Sequence, residues 1–312
     1  MASQLAYKSR IASTQSLSKI FNAQEMIASS HIAKARNLAL GAKPYSDAIQ
    51  DALAALVAHT KLDHPLVKKK EKTPNPHVAV LAVTSDRGMA GPYTSNVLRE
   101  TENLLKRLDE ANKIPELYVY GRRGVNYYKY RSRDIKATWE GHTDEPSVRV
   151  AEEIASTLLN AYMAPGENGG VSELYLVYTE FINMVSQKVR ILRMLPVEVV
   201  NKEIDMATAT AKEQAEAEKE FTAPLYSFEP SAEEVLDKVL PKYVQSRIHE
   251  CLLTAAASET ASRQNAMHTA TENADKLLDE LTRKLNQTRQ GAITQELTEI
   301  IASADALNTT EE

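Results

Sequence analysis

Apolar residues recur at helical spacing near both ends of the chain and in strand-like runs in its middle. Proline and glycine sharpen this division, because residues 1–40 contain neither and residues 242–312 contain only Gly291. The pattern predicts one long helix over about 3–60. It predicts a second from about Ala232, or from just past Pro241, to about Leu307. At 1.5 Å per residue, the second helix would form a rod of roughly 100 Å.

The first predicted helix contains Gly41 and Pro44, where we expect a kink rather than an end. Positions three and four residues apart predict a coiled-coil seam with three polar members, which cost stability and can fix the register. The members of this predicted seam are Leu17, Ile20, Gln24, Ile27, His31, Lys34 and Leu38.

The second predicted helix is the longer by about ten residues, an overhang of about 15 Å. Because both helices join the same middle region, they must run antiparallel if they pair. The overhang carries an apolar stripe, which usually marks an interaction site, although a tip that folds back or frays is the alternative. The stripe consists of Ile293, Leu297, Ile300, Ala304 and Leu307.

Strand-like and helix-like segments alternate in the middle of the chain, which predicts a mostly parallel sheet. The fold class is therefore α/β, with a long antiparallel coiled coil of the N- and C-terminal helices plus a central Rossmann-like α/β domain. We expect boundaries at 1–65, 66–230 and 231–312, with a mobile acidic insert at 202–220. The predicted strands are 77–85, 116–121, 173–181 and 188–200, and the predicted helices are 92–112 and 147–163.

The composition and net charge exclude some classes of protein. A net charge of −5 and a pI near 5.9 argue against a dedicated nucleic-acid binder. The single cysteine, Cys251, excludes an internal disulfide and is expected to be inert packing. The sequence contains no run of 18 apolar residues and no signal-peptide pattern, so we expect a protein of the cytoplasm that could still sit on a membrane complex.

Few residues are candidates for catalysis or for binding a cofactor or a metal. The sequence has no phosphate-binding loop motif, and Gly88, Gly91 and Pro92 after the first strand depart from the dinucleotide-binding spacing. His59 and His64 have no further ligands nearby in sequence, which argues against a metal site. We therefore expect no catalytic residues, no cofactor and no metal.

The segment 288–301 has a different character, because polar side chains there share a helix with the apolar stripe. Arg289, Gln290 and Thr294 offer hydrogen-bond donors. Gly291 costs a helix about 1 kcal/mol, which suggests that it permits close approach by another molecule. An ordinary solvated helix face is the alternative.

At these residues the chain resembles the γ subunit of F-type ATP synthases, and most closely its actinobacterial members. The resemblance is carried by the segments at 10–35, 84–91, 181–196 and 261–300, so it covers nearly the whole length. There are departures. Phe21 and Asn22 replace the usual Thr-Lys, residues 89–92 replace Leu-Cys-Gly-Gly, and His268 stands where lysine is common.

The resemblance implies a central rotor shaft without an active site, turned by an ion-driven ring of c subunits. The paired helices would fill a hexamer of α and β subunits, with the stripe in an apolar sleeve and the α/β domain against the c ring and ε. It implies that Arg289 and Gln290 meet a loop of one β subunit with Thr294 close by, and that Arg10 and Lys19 are weaker shaft candidates. Membrane contact would occur only through the complex, at the cytoplasmic face.

Two other readings remain open from the sequence. A nucleotide-dependent enzyme built on the α/β domain would need a phosphate-binding loop. A coiled-coil adaptor unrelated to rotation would explain both long helices and the overhang, but not the family-like segments at both ends.

Overall fold

The structure is a computed structural model that describes residues 2–59, 75–165, 169–196 and 232–308. Two long helices dominate it, α1 (Ala2–His59) and α5 (Ala232–Asn308). Each helix continues through an internal proline, Pro44 in α1 and Pro241 in α5. Both predicted helices are therefore confirmed, and α1 does not end at Pro44.

The chain divides into two compact units, and both divisions fall inside the long helices. Unit 1 contains Met1–Ser30 and Arg263–Glu312, and unit 2 contains His31–Ser262. The expected domain boundaries near 65 and 230 lie outside the described residues, as does the acidic insert at 202–220.

Unit 2 is built on a five-stranded sheet with the order β3-β2-β1-β4-β5. The first four strands pair in parallel, and β5 pairs antiparallel with β4, so the predicted mostly parallel sheet is confirmed. The strands are β1 (His77–Val83), β2 (Ile114–Tyr120), β3 (Ala137–Trp139), β4 (Glu173–Phe181) and β5 (Gln187–Leu195). The connecting helices are α2 (Tyr93–Glu110), α3 (Arg122–Tyr130) and α4 (Val148–Met163).

Successive side chains of β1 point to opposite faces of the sheet, and each face has its own apolar core. Leu81 packs with Ile154 of α4 and Val244 of α5 on one face. Val80 packs with Val97 of α2 on the other. The sheet is thus covered on both sides, which explains why β1 is an almost uninterrupted apolar run.

The small residues of α5 lie against the carboxyl ends of the central strands. The hydroxyl of Ser258 donates to the carbonyl of Thr179 at 3.1 Å, and that of Ser262 donates to the carbonyl of Ala90 at 2.7 Å. The alanine-rich sequence permits this close approach, because bulky side chains would hold the helix away from the strand ends. Cys251 in the same helix is buried, as expected from the sequence.

Candidate partner-binding surface of the helical pair

Within unit 1, α1 and α5 run antiparallel. The hydroxyl of Ser18 donates to Asp275 Oδ1 at 3.1 Å, and His268 Nδ1 lies 3.0 Å from Glu25 Oε1. The second pair lies seven residues further along α1 and seven residues earlier along α5. The two contacts therefore define one constant antiparallel register, and the predicted antiparallel pairing is confirmed.

The face through which the helices pair is not the predicted seam. Leu17, Ile20 and Ile27 are 46%, 51% and 50% exposed, so that prediction is wrong. Among the seven predicted members, only Gln24 is partly buried. The residues of α1 that face α5 in unit 1 include Ile11, Thr14, Ser18, Phe21 and Ala28.

Much of the pairing face of α1 is made of small side chains. Thr14, Ser18 and Ala28 are small, and small residues let two helix backbones approach closely. On α5 the matching face is formed by Ala274 and Leu281, both buried. Leu17, Ile20 and Ile27 of the predicted seam instead form an outward stripe. That outward stripe is a surface available to another molecule.

The pairing face of α5 stops at Ala292, the last partly buried residue among the described side chains of the helix. By the register above, Gly291 lies opposite Ala2, where α1 begins, and every described side chain from Ile293 to Ala302 is exposed. The helix continues to Asn308, so its tip, residues 293–308, extends about 24 Å further. The tip is longer than the predicted overhang of about 15 Å.

The predicted apolar stripe lies on this tip. Ile293, Leu297 and Ile300 are 47%, 55% and 63% exposed. With 3.6 residues per turn, the stripe is turned about a quarter of the circumference away from the face that contacts α1. Ala304 and Leu307 fall within the helix, but their side chains lie outside the described residues.

The candidate polar residues lie just before and within the tip, and all three are exposed. The Thr294 hydroxyl donates to the carbonyl of Gln290 at 3.0 Å, one turn earlier. Gln290 and Thr294 share the face opposite α1, and Arg289 is about 100° away around the helix. A Cβ built on Gly291 meets nothing within 4 Å, so the chain's own packing does not require glycine there.

The weaker candidates lie on the exposed surface of α1. Arg10 is close enough to α5 to affect Glu280, whose pKa is lowered first by a hydrogen bond from Lys284 and least by Arg10. Lys19 is exposed on the same helix. The structure does not bring Arg10 or Lys19 into a cluster with Arg289, Gln290 and Thr294.

The turn after β1 is held in place by hydrogen bonds to the Asp86 side chain. The Asp86 carboxylate accepts from the backbone nitrogens of Arg122 and Thr143 at 2.9 and 3.2 Å. Gly124 lies where an added Cβ would come within 2.6 Å of Thr84 Oγ1. Close packing of β1 against α3 therefore accounts for the glycines after β2.

Two negative findings concern the described residues alone. Across 2–59, 75–165, 169–196 and 232–308, no three His, Cys, Asp or Glu side chains are grouped as a metal site would require. None of the helices described in these ranges has the length and apolar character needed to span a membrane.

The ATP synthase family model matches residues 3–307, almost the whole chain. The chain belongs to the ATP synthase gamma chain family. It is 71% identical over 312 residues to the ATP synthase gamma chain of Bifidobacterium adolescentis, with 100% of both chains covered. It is 51% identical to that of Beutenbergia cavernae, with 97% of this chain and 98% of the relative covered. The resemblance to actinobacterial γ subunits is confirmed.

Solved structures support the fold. A chain of the Euglena gracilis mitochondrial ATP synthase, from a structure of OSCP, F1 and the c ring, has a TM-score of 0.66 at 15% identity and covers 100% of this chain and 96% of its own. A chain from the central stalk and c ring of the Tetrahymena thermophila enzyme has a TM-score of 0.58 at 22% identity, covering 80% and 99%. At these identities the match shows the fold: two long helices with a central sheet domain.

Proposed function

We propose that this gamma chain is the central rotor shaft of an F-type ATP synthase. It couples ion-driven rotation of the c ring to conformational change at the catalytic β subunits, and it is itself non-catalytic. The observation that carries the proposal is the tip of α5, a helix that continues past its partner with large apolar side chains exposed. Such a surface is suited to a surrounding protein rather than to water.

The helical pair is suited to transmitting rotation because its two sides differ. One face of α1 carries the outward stripe of Leu17, Ile20 and Ile27. Polar residues, including Lys8, Gln15 and Asn22, are exposed on another face. An asymmetric shaft presents a different surface to each of three β subunits. Each orientation can then favour a different β conformation, because binding a surface differentially shifts a conformational equilibrium.

We assign the contact with a β subunit to Arg289, Gln290 and Thr294. Their exposure and the open space around Gly291 support this assignment. The stripe from Ile293 through Leu297 and Ile300 would turn in an apolar sleeve of the hexamer, with Ala304 and Leu307 completing it. Arg10 and Lys19 remain weaker candidates on α1.

The remaining partners follow from the same proposal. The sheet domain would contact the c ring and ε, and the chain would lie at the cytoplasmic face of the cell membrane as a peripheral subunit. The matched Tetrahymena chain comes from a central stalk and c-ring structure, and another matched Euglena chain, with a TM-score of 0.61, comes from a rotor structure.

The experiment that tests the proposal is the composition of the assembly that a tagged copy of the chain recovers from its native membranes. We expect one copy of the chain with three α and three β subunits, and ATPase activity that the chain alone lacks. A lone chain or a homodimer without α and β would reject the shaft and favour a coiled-coil adaptor.

The site assignment has its own test in the assembled complex. Because both side chains are exposed on α5, Arg289→Ala with Gln290→Ala should leave helix content unchanged. We expect ATPase activity and ATP-driven proton pumping to fall several-fold, which corresponds to about 1 kcal/mol. Asn286→Ala with Gln287→Ala, on the preceding turn, is the control. Normal hydrolysis and pumping in the first variant would remove the assignment.

A further inference from the structure

An open groove of about 780 Å³ runs between α2 and α3 in unit 2. One end of the groove is formed by the turn after β1, including Arg87 and Met89. Its walls are formed by α2 and α3. Neither the shaft proposal nor the turn hydrogen bonds use this groove. Its size lies within the usual range of ligand-binding clefts.

The groove is strongly basic although the chain has a net charge of −5. Arg99 and Lys106 line the α2 wall two helical turns apart, about 10 Å along the axis. Arg123 and Arg131 line the α3 wall. With Arg87 in the turn after β1, the groove is lined by five cationic side chains. Glu102 is the one carboxylate among the lining residues.

These cations are weakly neutralised, and the pair that Arg87 makes is long, with its Nη1 atom 3.7 Å from Asp144 Oδ2. Lys106 and Arg123 make no ion pair within the described residues. Arg99 Nε lies 3.6 Å from the carboxylate of its neighbour Glu100, and Arg131 lies over the Tyr127 ring at 4.5 Å, which leaves its charge in place. Long exposed pairs such as Arg99–Glu100 contribute little, so the groove keeps its positive potential.

Glu102 offsets little of this positive charge. Its Oε2 atom lies 3.9 Å from Arg133 Nη2, so part of its charge is paired away from the five cations. Its Oε1 atom is buried and has no hydrogen-bond partner in the structure, so it is closed to a ligand in the groove. An acidic peptide offers carboxylates that can pair with the cations along both walls.

We propose that the groove between α2 and α3 is a docking site for an acidic polypeptide segment of a partner protein. Cations spread over two turns of α2 match carboxylates distributed along a chain better than phosphates concentrated at one point. Charge complementarity of this kind speeds association and fixes register. The proposal does not depend on the rotor function, because it concerns the chain alone.

The test uses the full chain and a fluorescein-labelled 14-residue peptide of alternating glutamate and alanine. Fluorescence anisotropy at 50 mM salt measures its affinity for the unmodified chain and for two double variants. Arg99→Gln with Lys106→Gln removes two groove charges, and we expect binding to weaken at least fivefold. Arg107→Gln with Lys129→Gln removes two charges from the same helices outside the groove, and we expect a change below twofold.

Three outcomes would overturn the proposal. The first is that the peptide does not bind the unmodified chain. The second is that both double variants weaken binding equally. The third is that inorganic triphosphate displaces the labelled peptide at lower concentrations than unlabelled peptide does. The second outcome would mean attraction to total charge, and the third a phosphate site. Circular dichroism of the variants separates lost binding from lost folding.

Discussion

The two units of this chain bury their apolar residues very differently. In unit 2, the sheet and its covering helices hold side chains such as Ile154 and Leu176 at 0–1% exposure, with neighbours on several sides. In the described part of unit 1, two helices share a single narrow face, and Ala28 and Leu281 are among the few side chains buried there. A core built from layers provides stability, whereas one helical pair leaves most of its surface for other molecules.

The largest effect should come from the core of unit 2. Ile154 is fully buried between α4 and the sheet, so Ile154→Ala removes apolar contacts and leaves a cavity. We expect a loss of about 3 kcal/mol in the free energy of unfolding, measured by urea denaturation of the full chain. A loss below about 1 kcal/mol would mean that the sheet core does not dominate stability.

A smaller effect should follow from the pairing face of unit 1. Leu281→Ala should cost about 2 kcal/mol, because Leu281 is buried against one helix only and its surroundings can relax. Leu17→Ala is the matched control on the exposed stripe and should cost less than about 0.5 kcal/mol. If Leu17→Ala were the more damaging of the two, the helices would pair through the face predicted from sequence.

Alanine substitutions at two glycines distinguish an effect on stability from an effect on contact with a partner. Gly41→Ala and Gly291→Ala each place a methyl group in open space within a helix, so each should stabilise by about 1 kcal/mol. In the assembled complex, only Gly291→Ala should lower ATPase activity, because a partner approaches closely there. Equal activity of the two variants would show that the tip tolerates the added methyl group.

The smallest effect concerns the buried thiol of unit 2. Burial raises the pKa of Cys251 from its ordinary value near 9 to about 12, which favours the neutral thiol in the folded chain. Its contribution to stability is therefore present below about pH 9 and is lost as the pH rises towards 12. At pH 8 we expect no reaction with iodoacetamide until the chain unfolds, whereas Leu17→Cys should react at once.

The sequence predicted the elements that carry strong, long patterns. β4 matches the predicted 173–181, and α1 agrees with its predicted limits to within one residue. α5 begins at Ala232, the earlier of its two predicted starts, and ends one residue past its predicted end. It missed α3 and β3, because nine and three residues are too few for a clear period.

Interaction surfaces were harder to predict than elements. The seam prediction failed because periodicity shows that a face is apolar but not whether it meets its own chain or another protein. Leu17 and Ile20 remain about half exposed within the described residues. The basic groove was also missed, because Arg99, Arg123 and Arg131 converge only once α2 and α3 pack side by side.

The exposed tip of α5 has a consequence for how the protein is made. Ile293, Leu297, Ile300 and Ile301 are each about half exposed or more, within nine residues of one helix. A chain synthesised in excess of its partners would keep this apolar surface exposed to water and would tend to self-associate. Production of this chain should therefore be matched closely to that of the proteins with which it assembles.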